Sequence, residues 1–262
     1  MSLDVERIGD CGGELVLLHG WGMNPGVWAG LPVAFAAGCR QHRIGLPGHG
    51  GSPLGFLAGE RADVAAWADA CLAVAPQRAV WIGWSLGGLI ALAAATRAPA
   101  RIAGLILVTA SPRFTCADDW RHAMPVGTLD QFQSNLLSDP AATLERFIAL
   151  QVRASDGALA TLRRLRSAIG RHPPPEPEAL RLGLRLLREV DLRAQLGRLA
   201  CPTLWLFGAR DTLVPAGLGA DVAGLSPSAR VQVIDGAGHA PFISHPDEAT
   251  AAMGAFLSEA LR

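Results

Sequence analysis

Short runs of consecutive apolar residues alternate along this chain with longer Ala- and Leu-rich segments whose apolar positions follow helical spacing. Six apolar runs, each bounded by Gly, Pro or Asp, are predicted strands: 14–18, 41–44, 79–82, 102–109, 203–207 and 231–234. Four helices are predicted between or after them, at 62–75, 86–97, 216–225 and 247–261. Strands that are apolar throughout and alternate with helices indicate an α/β fold, with a mostly parallel sheet flanked by helices.

The alternation of strands and helices stops between residues 112 and 200. That stretch has helical patterns at 129–137, 142–153, 157–169 and 178–187, three prolines at 173–175, and no convincing strand. In open α/β folds the ligand binds at the carboxyl ends of the strands. We therefore expect residues 1–111 and 201–262 to form one core, and residues 112–200 to form an inserted helical cap over that edge.

Composition narrows the class of protein. The chain has 262 residues, half of them apolar, and its 23 basic residues, all Arg, balance 23 acidic residues. This length and apolar content predict a sizeable core rather than a disordered chain. The zero net charge excludes a protein whose whole surface attracts nucleic acid, but it leaves a local charged patch open.

Three features of the sequence together favour a cytoplasmic protein. The sequence begins without a basic and apolar leader, and its longest apolar runs fall short of the roughly 20 residues that span a bilayer. Five cysteines are scattered without a C-x-x-C pair, which suits reduced thiols better than disulfides or a zinc site. We expect no membrane association and no bound metal.

The most informative stretch is Gly83-Trp84-Ser85-Leu86-Gly87, a G-x-S-x-G motif between a predicted strand and a predicted helix. In that context the motif predicts a sharp strand-to-helix turn that presents Ser85 as a nucleophile. Flanking residues without a Cβ let the neighbouring chain pass close by. The amino end of the following helix favours negative charge that develops beside the serine.

A nucleophilic serine needs a base, and the base needs a carboxylate that orients it. His239 is the predicted base, because it follows strand 231–234 in a Gly-rich loop at the carboxyl edge of the sheet. Asp211, just after strand 203–207, is the predicted carboxylate, and Asp235 is its alternative. Taken singly, Asp211 also fits a helix cap and His239 a solvated side chain. The order Ser85, Asp211, His239 is the order of α/β-hydrolase triads, and it favours catalysis.

An oxyanion hole is predicted after the first strand. His-Gly-Trp-Gly at 19–22 predicts a turn that aims the backbone N–H of Trp21 at the same point as that of Leu86. We expect His19 to brace this turn, because the base belongs beside the nucleophile. Trp84 has two open interpretations, a wall of the pocket or ordinary core packing.

Four motifs together resemble the α/β-hydrolase superfamily across the whole chain: residues 19–22, residues 83–88, Asp211 with the Val-Pro pair at 214–215, and residues 238–246. More narrowly, the chain resembles the pimeloyl-acyl-carrier-protein methyl ester esterases of biotin synthesis. That resemblance rests on residues 83–88, 145–151, 190–193 and 240–246. One departure is Gly45, where many relatives have Asp, and it affects a local turn contact.

This resemblance implies a carboxylesterase that removes the methyl group from a pimeloyl chain on acyl carrier protein, through an acyl-enzyme and without a cofactor. It also implies that the acyl chain lies between core and cap. The matching substrate-binding positions are Trp21, Ser85, Leu86, Phe147, Ile148, Ala149, Leu150, Gln151 and His239. We expect a monomer whose partner is the acyl carrier protein.

Three other functions remain open on the sequence. A general short-chain carboxylesterase and a carbon–carbon bond hydrolase would use the same triad, because pocket and cap set the reaction within this fold. A ligand-sensing module that retains the hydrolase pocket is the non-enzymatic alternative.

The charge balance is uneven along the chain. From residue 146 to residue 171 six arginines stand against one acidic residue, Asp156, which gives this stretch a balance of +5. Five of them are candidate docking residues for an acidic carrier protein: Arg146, Arg153, Arg163, Arg164 and Arg166. The alternative is an Arg-rich helix face that is simply solvated.

Overall fold

A seven-stranded sheet forms the centre of the molecule. The structure is a computed structural model, and it describes residues 2–32, 35, 37–55 and 63–261. The strands are β1 (Val5–Ile8), β2 (Gly13–Leu18), β3 (Cys39–Ile44), β4 (Ala79–Trp84), β5 (Ile102–Val108), β6 (Thr203–Gly208) and β7 (Arg230–Ile234). Their spatial order is β1-β3-β2-β4-β5-β6-β7. Every neighbouring pair is parallel except β1 with β3. The α/β class and the mostly parallel sheet are therefore confirmed.

All six predicted strands are present, and one strand was missed. The missed strand, β1, has the sequence Val-Glu-Arg-Ile and pairs antiparallel at the edge of the sheet. No apolar run marks it, because its two middle residues, Glu6 and Arg7, are charged. The central strands β4 and β6 are buried along their whole length, as continuous apolar runs predict.

Nine helices accompany the sheet in the described part of the chain. They are α1 (Val64–Val74), α2 (Leu86–Arg97), α3 (Val126–Ser138), α4 (Pro140–Leu150), α5 (Ala158–Ile169), α6 (Pro177–Glu189), α7 (Leu218–Leu225), α8 (Pro241–Ser244) and α9 (Pro246–Ala260). The predicted start of the first helix, Ala62, lies outside the described residues. Helix α1 is capped by Asp63, whose side chain accepts a hydrogen bond from the amide of Ala65 at 2.8 Å.

Helices α3 to α6 lie between β5 and β6 along the chain, where the helical insertion was predicted. The division of the chain into core and cap stays a prediction. One predicted helix was too long: 142–153 was expected, but α4 ends at Leu150, and turns follow until α5 begins at Ala158. Ala154 in this turn has a φ of 64°, which does not fit a continuing helix.

The loops that build the site all follow parallel strands. Strands β2, β4, β5, β6 and β7 run in one direction, so their carboxyl ends meet at one edge of the sheet. Residues 19–22, 85, 109, 209–214 and 235–239 follow these ends. Among the helices that the structure describes, none is both long and apolar enough to cross a membrane.

Candidate active site

Ser85 occupies a sharp turn between β4 and α2. Its backbone has φ 54° and ψ −118°, a conformation that residues other than glycine rarely adopt. A Cβ at Gly83 would lie 2.5 Å from the carbonyl oxygen of Gly87, and a Cβ at Gly87 would lie 2.3 Å from that of Leu18. Both positions therefore require glycine for the chain to turn this tightly. The amide of Ser85 donates to the carbonyl oxygen of Val108 at 3.0 Å, which ties the turn to β5.

Asp211 and His239 form a buried pair. The two atoms His239 Nδ1 and Asp211 Oδ2 are 2.7 Å apart, and their side chains are 1% and 0% exposed. The other carboxylate oxygen of Asp211 accepts from the amides of Leu213 and Val214, at 2.8 and 3.0 Å. These bonds fix the carboxylate and leave Nδ1 of the histidine as the donor.

Asp235 does not take the place of Asp211. It is exposed, and it makes no hydrogen bond or ion pair with any described residue. Asp211 does bond the two following amides as a turn residue would, but the next helix begins only at Leu218, and the other oxygen of Asp211 holds His239. The solvated-loop alternative does not describe His239, because His239 is buried.

His239 Nε2 is buried and has no hydrogen-bond partner among the described residues. The rest of the residue is engaged: its carbonyl oxygen accepts from Trp84 Nε1 at 2.7 Å, and its amide donates to the carbonyl oxygen of Gln151 at 3.0 Å. An unpaired polar atom in a buried position costs free energy, which is typical of a functional site. Nε2 is thus the atom of His239 that is left to exchange a proton.

Trp84 lies in the core. Its ring is fully buried and packs edge-on against Phe242, with ring centroids 5.2 Å apart. Its indole N–H holds the carbonyl oxygen of His239. Of the two interpretations left open by the sequence, this geometry favours core packing, with the added effect of anchoring the histidine loop.

Two free backbone N–H groups lie near Ser85. The amides of Trp21 and Leu86 make no hydrogen bond to a described acceptor, and Leu86 is the first residue of α2. The turn that carries Trp21 adjoins Ser85, since a Cβ at Gly20 would lie 3.4 Å from the Cβ of Ser85. This arrangement suits the stabilisation of an oxyanion.

Two buried histidines brace that turn. His19 donates from Nδ1 to the carbonyl oxygen of Gly20 at 2.8 Å and accepts at Nε2 from the amide of Leu46 at 3.0 Å. His49 accepts at Nε2 from the amide of Gly22 at 3.3 Å. Burial lowers the pKa of His49 to about 4 and that of His19 well below its usual value, so both are neutral. The bracing role expected of His19 fits these bonds.

Sequence reasoning missed the contribution of His49. The sequence signal that could have found it is the segment Pro47-Gly48-His49-Gly50, a glycine-rich turn after a predicted strand. His19 stands in the same kind of turn. Its Nδ1 donates to the carbonyl oxygen of Pro47 at 2.9 Å, and its ring lies 5.4 Å from that of His19.

The helical insertion reaches this site through two of its five predicted contact residues. Phe147 packs edge-on against Trp21 with centroids 4.6 Å apart, and Gln151 accepts the amide hydrogen of His239. Ile148 is buried beside them in α4. Ala149 and Leu150 instead line a groove of about 850 Å³ between α3, α4 and α5, which neither Ser85 nor His239 lines. We call this the α3–α5 groove.

The predicted docking arginines are exposed, and four of the five line one of two grooves. Arg146 and Arg153 line the α3–α5 groove. Arg163 and Arg164 line a second groove of about 560 Å³, together with Ile243 of α8. We call this second one the α5–α8 groove.

Ion pairs neutralise only part of this charge. Arg166 pairs with Glu145 at 2.7 Å, and Asp156 is held by Arg210 at 2.6 Å. Arg146, Arg153 and Arg163 form no ion pair with the described residues. The local positive charge predicted from the sequence is therefore carried by these three guanidinium groups together with Arg164 and Arg171, which form no ion pair with the described residues either. Across the described ranges, no group of three or more His, Cys, Asp or Glu side chains is placed to hold a metal ion.

Comparison with known families agrees with this fold. Residues 14–246 match the model of the α/β hydrolase fold family. The chain belongs to that family.

Two curated relatives are similar to this chain over about nine tenths of its length. The relative from Photobacterium profundum is 44% identical over 242 residues, which are 90% of this chain and 91% of the relative. The relative from Edwardsiella ictaluri is 45% identical over 244 residues, which are 93% of this chain and 92% of the relative. Both are named pimeloyl-acyl-carrier-protein methyl ester esterase.

A solved structure supports the same fold. An esterase from Exiguobacterium antarcticum superposes with a TM-score of 0.84 at 22% identity, over 98% of this chain and 95% of that chain. At this identity the likeness shows the fold alone.

Proposed function

We propose that this protein is a serine carboxylesterase in which Ser85 is the nucleophile, His239 the general base and acid, and Asp211 the residue that orients the base. The observation that carries the proposal is the buried 2.7 Å bond between His239 and Asp211. It leaves Nε2 as an unpaired acceptor, and Trp84, the residue before the strained Ser85, donates to the carbonyl oxygen of the same histidine at 2.7 Å. Nucleophile, base and orienting carboxylate arranged in this way support acyl transfer.

The proposed reaction proceeds through an acyl-enzyme. His239 Nε2 takes the proton of Ser85 as the serine oxygen attacks the ester carbonyl carbon. The amides of Trp21 and Leu86 stabilise the oxyanion, and Asp211 stabilises the imidazolium. His239 then gives its proton to the departing methoxide, and methanol leaves. A water molecule, deprotonated by His239, attacks the acyl-enzyme and frees the carboxylic acid and Ser85.

The proposed substrate is the methyl ester of a pimeloyl chain on acyl carrier protein, and the products are methanol and the free pimeloyl chain on its carrier. The two relatives named above, at 44% and 45% identity over nine tenths of the chain, support this choice. The four segments that carry the resemblance in the sequence lie at the Ser85 turn (83–88), in the insertion (145–151 and 190–193) and after His239 (240–246).

Residues 112–200 are proposed to act as the cap, with the acyl chain held between cap and core. Trp21 supports this arrangement, because its indole N–H donates to the carbonyl oxygen of Leu180 in α6 at 2.8 Å while its ring contacts Phe147. Ser85 is only 3% exposed, so a substrate reaches it by displacing part of this covering. Phe147, Ile148 and Gln151 are the proposed contacts in the cap, and Ala149 and Leu150 are proposed to contribute at its outer face.

The proposed partner is the acyl carrier protein, docked on the arginines of α4, of α5 and of the turn between them. Charge complementarity supports this, because an acidic carrier would meet guanidinium groups that no acidic residue neutralises. Of the five candidates, Arg146, Arg153 and Arg163 carry the proposal. Arg166 is already paired with Glu145, and Arg164 donates to the carbonyl oxygen of Ile243.

The protein is proposed to work in a reducing compartment such as the cytoplasm. Its proposed oligomeric state is a monomer. All five cysteines have free thiols, and Cys71 is buried, which raises its thiol pKa to about 12. Sedimentation of the purified protein tests the oligomeric state.

The experiment that tests the proposed substrate compares two esters on the wild-type protein. One is pimeloyl-acyl-carrier-protein methyl ester, and the other is a p-nitrophenyl ester of a short acid. We expect turnover of both, with a higher kcat/KM on the carrier-linked ester. Turnover of the short ester alone would overturn the carrier-linked substrate and leave a general carboxylesterase. Tight binding of a carrier-linked ester without turnover of either would indicate a ligand sensor.

A further inference from the structure

Thr109, the residue that follows β5, has an unusual backbone. Its φ is 41°, in the left-handed region that β-branched residues rarely adopt, and it is fully buried. Glycine adopts such a φ without steric cost. Strained residues persist where the surrounding structure holds them, and they are concentrated at functional sites. The question is therefore what the threonine side chain contributes there.

The hydroxyl of Thr109 holds the catalytic histidine loop. Its Oγ1 donates to the carbonyl oxygen of His239 at 2.8 Å, across 130 residues of sequence. The amide of Thr109 donates to the carbonyl oxygen of Leu206 in β6 at 2.7 Å, and β6 leads to Asp211. The preceding residue, Val108, accepts the amide hydrogen of Ser85 at 3.0 Å. Two consecutive residues at the end of β5 thus hold the backbones of nucleophile and base.

The bonds around His239 leave one polar atom free. Its carbonyl oxygen has two lone pairs, and Thr109 Oγ1 and Trp84 Nε1 donate to it together. Its amide is held by Gln151 and its Nδ1 by Asp211. Only Nε2 lacks a partner among the described residues.

We propose that Thr109 is a positioning residue, whose hydroxyl sets the place of His239 so that Nε2 meets the Ser85 hydroxyl. The proposal rests on the triad proposed above. A general base works within about 2.6–3.2 Å of the proton that it takes, so a small shift of its backbone lowers the rate of the chemical step. Substrate binding does not depend on that distance. Loss of the hydroxyl therefore lowers kcat and leaves KM nearly unchanged.

The test uses two variants that separate the hydroxyl from the shape of the side chain. Thr109→Val keeps the branched shape and removes the donor, whereas Thr109→Ser keeps the donor and removes a methyl group. On the short p-nitrophenyl ester we expect Thr109→Val to lower kcat about ten-fold or more, with KM within about two-fold, since misplacement by about 1 Å costs up to about 10²-fold. We expect Thr109→Ser to retain at least about half of the wild-type kcat, because its hydroxyl makes the same bond.

Thr115→Val is the matched control. Thr115 is a buried threonine whose hydroxyl also donates to a distant backbone carbonyl, that of Arg188 at 3.3 Å. It should lower the unfolding temperature without lowering kcat. If Thr109→Val does not yield folded protein, Thr109→Ala against Thr109→Ser gives the same comparison, since those two variants differ by one oxygen atom.

Two results would overturn the positioning role: wild-type kcat in Thr109→Val, or an equal loss of kcat in Thr109→Ser. Ser85→Ala, run beside them, separates this proposal from the triad. If Ser85→Ala abolishes turnover while Thr109→Val does not lower kcat, the triad stands and the role of Thr109 fails. If Ser85→Ala is active, the triad itself fails.

Discussion

The amide of His239 donates a 3.0 Å hydrogen bond to the carbonyl oxygen of Gln151, and so joins the proposed catalytic base to the helical insertion. A second bond beside it, from the amide of Asp156 to the carbonyl oxygen of Gly236 at 2.9 Å, makes this a two-point attachment. The attachment lies just after α4 ends at Leu150, where the chain turns toward the histidine loop. Movement of the insertion is therefore mechanically linked to the base.

Gly238→Ala tests this link. A Cβ at Gly238 would lie 3.3 Å from the carbonyl oxygens of both Gln151 and Arg153, closer than ordinary van der Waals contact, so segment and loop must separate slightly. We expect kcat on a short ester to fall about ten-fold, because the base shifts with its loop.

The control for this prediction is Gly224→Ala in α7, where nothing lies within 4 Å of the added Cβ. It should leave kcat unchanged and raise stability by about 0.5–1 kcal/mol, since alanine favours helix. Wild-type kcat in Gly238→Ala, measured on a protein with normal unfolding temperature, would contradict the link.

Asp211→Asn should lower kcat by about four orders of magnitude. The amide can donate to Nδ1 and so favour the wrong tautomer of His239, with little change in shape. Asp235→Asn is the matched control, because Asp235 is exposed and bonded to no described residue. Steady-state kinetics of both variants check the assignment. Comparable losses in the two would contradict it.

The buried histidines make folding stability depend on pH. The pKa of His49 is lowered by burial from 6.5 to about 4, so the folded state binds its proton less readily than the unfolded state. Its contribution is complete above pH 6.5 and is lost as the pH falls toward 4. Between pH 7 and pH 5 this group alone should lower the free energy of unfolding by about 2 kcal/mol.

His49→Phe removes that contribution while it keeps an aromatic ring. Urea unfolding at pH 7 and pH 5 should show a drop that is smaller in the variant than in the wild type by about 2 kcal/mol. His19 remains in both proteins and lowers stability in acid in each. Identical drops in wild type and variant would show that His49 does not titrate in this range.

Arg163→Glu should weaken activity on the carrier-linked ester and leave the short ester unaffected. Arg163 is exposed and unpaired in the α5–α8 groove, so its reversal repels an acidic carrier. We expect kcat/KM on the carrier-linked ester to fall about ten-fold at low salt, and the difference from wild type to shrink as salt screens the charges.

Arg78→Glu makes the same change of charge elsewhere. Arg78 is exposed, has no partner among the described residues, and precedes β4 at the end of the sheet opposite the site. It should change neither activity. An equal loss in both arginine variants would point to net charge rather than to docking on α5.

Much of the fold and of the proposed triad follows from local sequence. Strands β4 and β6 are apolar throughout, and Ser85, Asp211 and His239 each follow a strand, so their convergence at one edge is predictable from the parallel sheet. Strand β1 was missed because its two middle residues are charged and no apolar run marks it, and its identity as a strand depends on pairing with β3.

Other features depend on contacts between distant residues. The bond between Thr109 and His239 spans 130 residues, and no local pattern marks it. The end of α4 at Leu150 depends on the attachment of the following turn to the histidine loop. The net charge of residues 146–171 does not reveal that two of its charged residues pair with residues outside that stretch. These ion pairs are Arg166 with Glu145 and Asp156 with Arg210.

Methanol release from pimeloyl-acyl-carrier-protein methyl ester, measured for the wild type and for Ser85→Ala, tests the central claim most directly. We predict multiple turnovers by the wild type, with the carrier-linked chain losing the mass of one methylene, and a fall of at least about 10³-fold in Ser85→Ala. Folded Ser85→Ala that releases methanol at the wild-type rate would contradict the account.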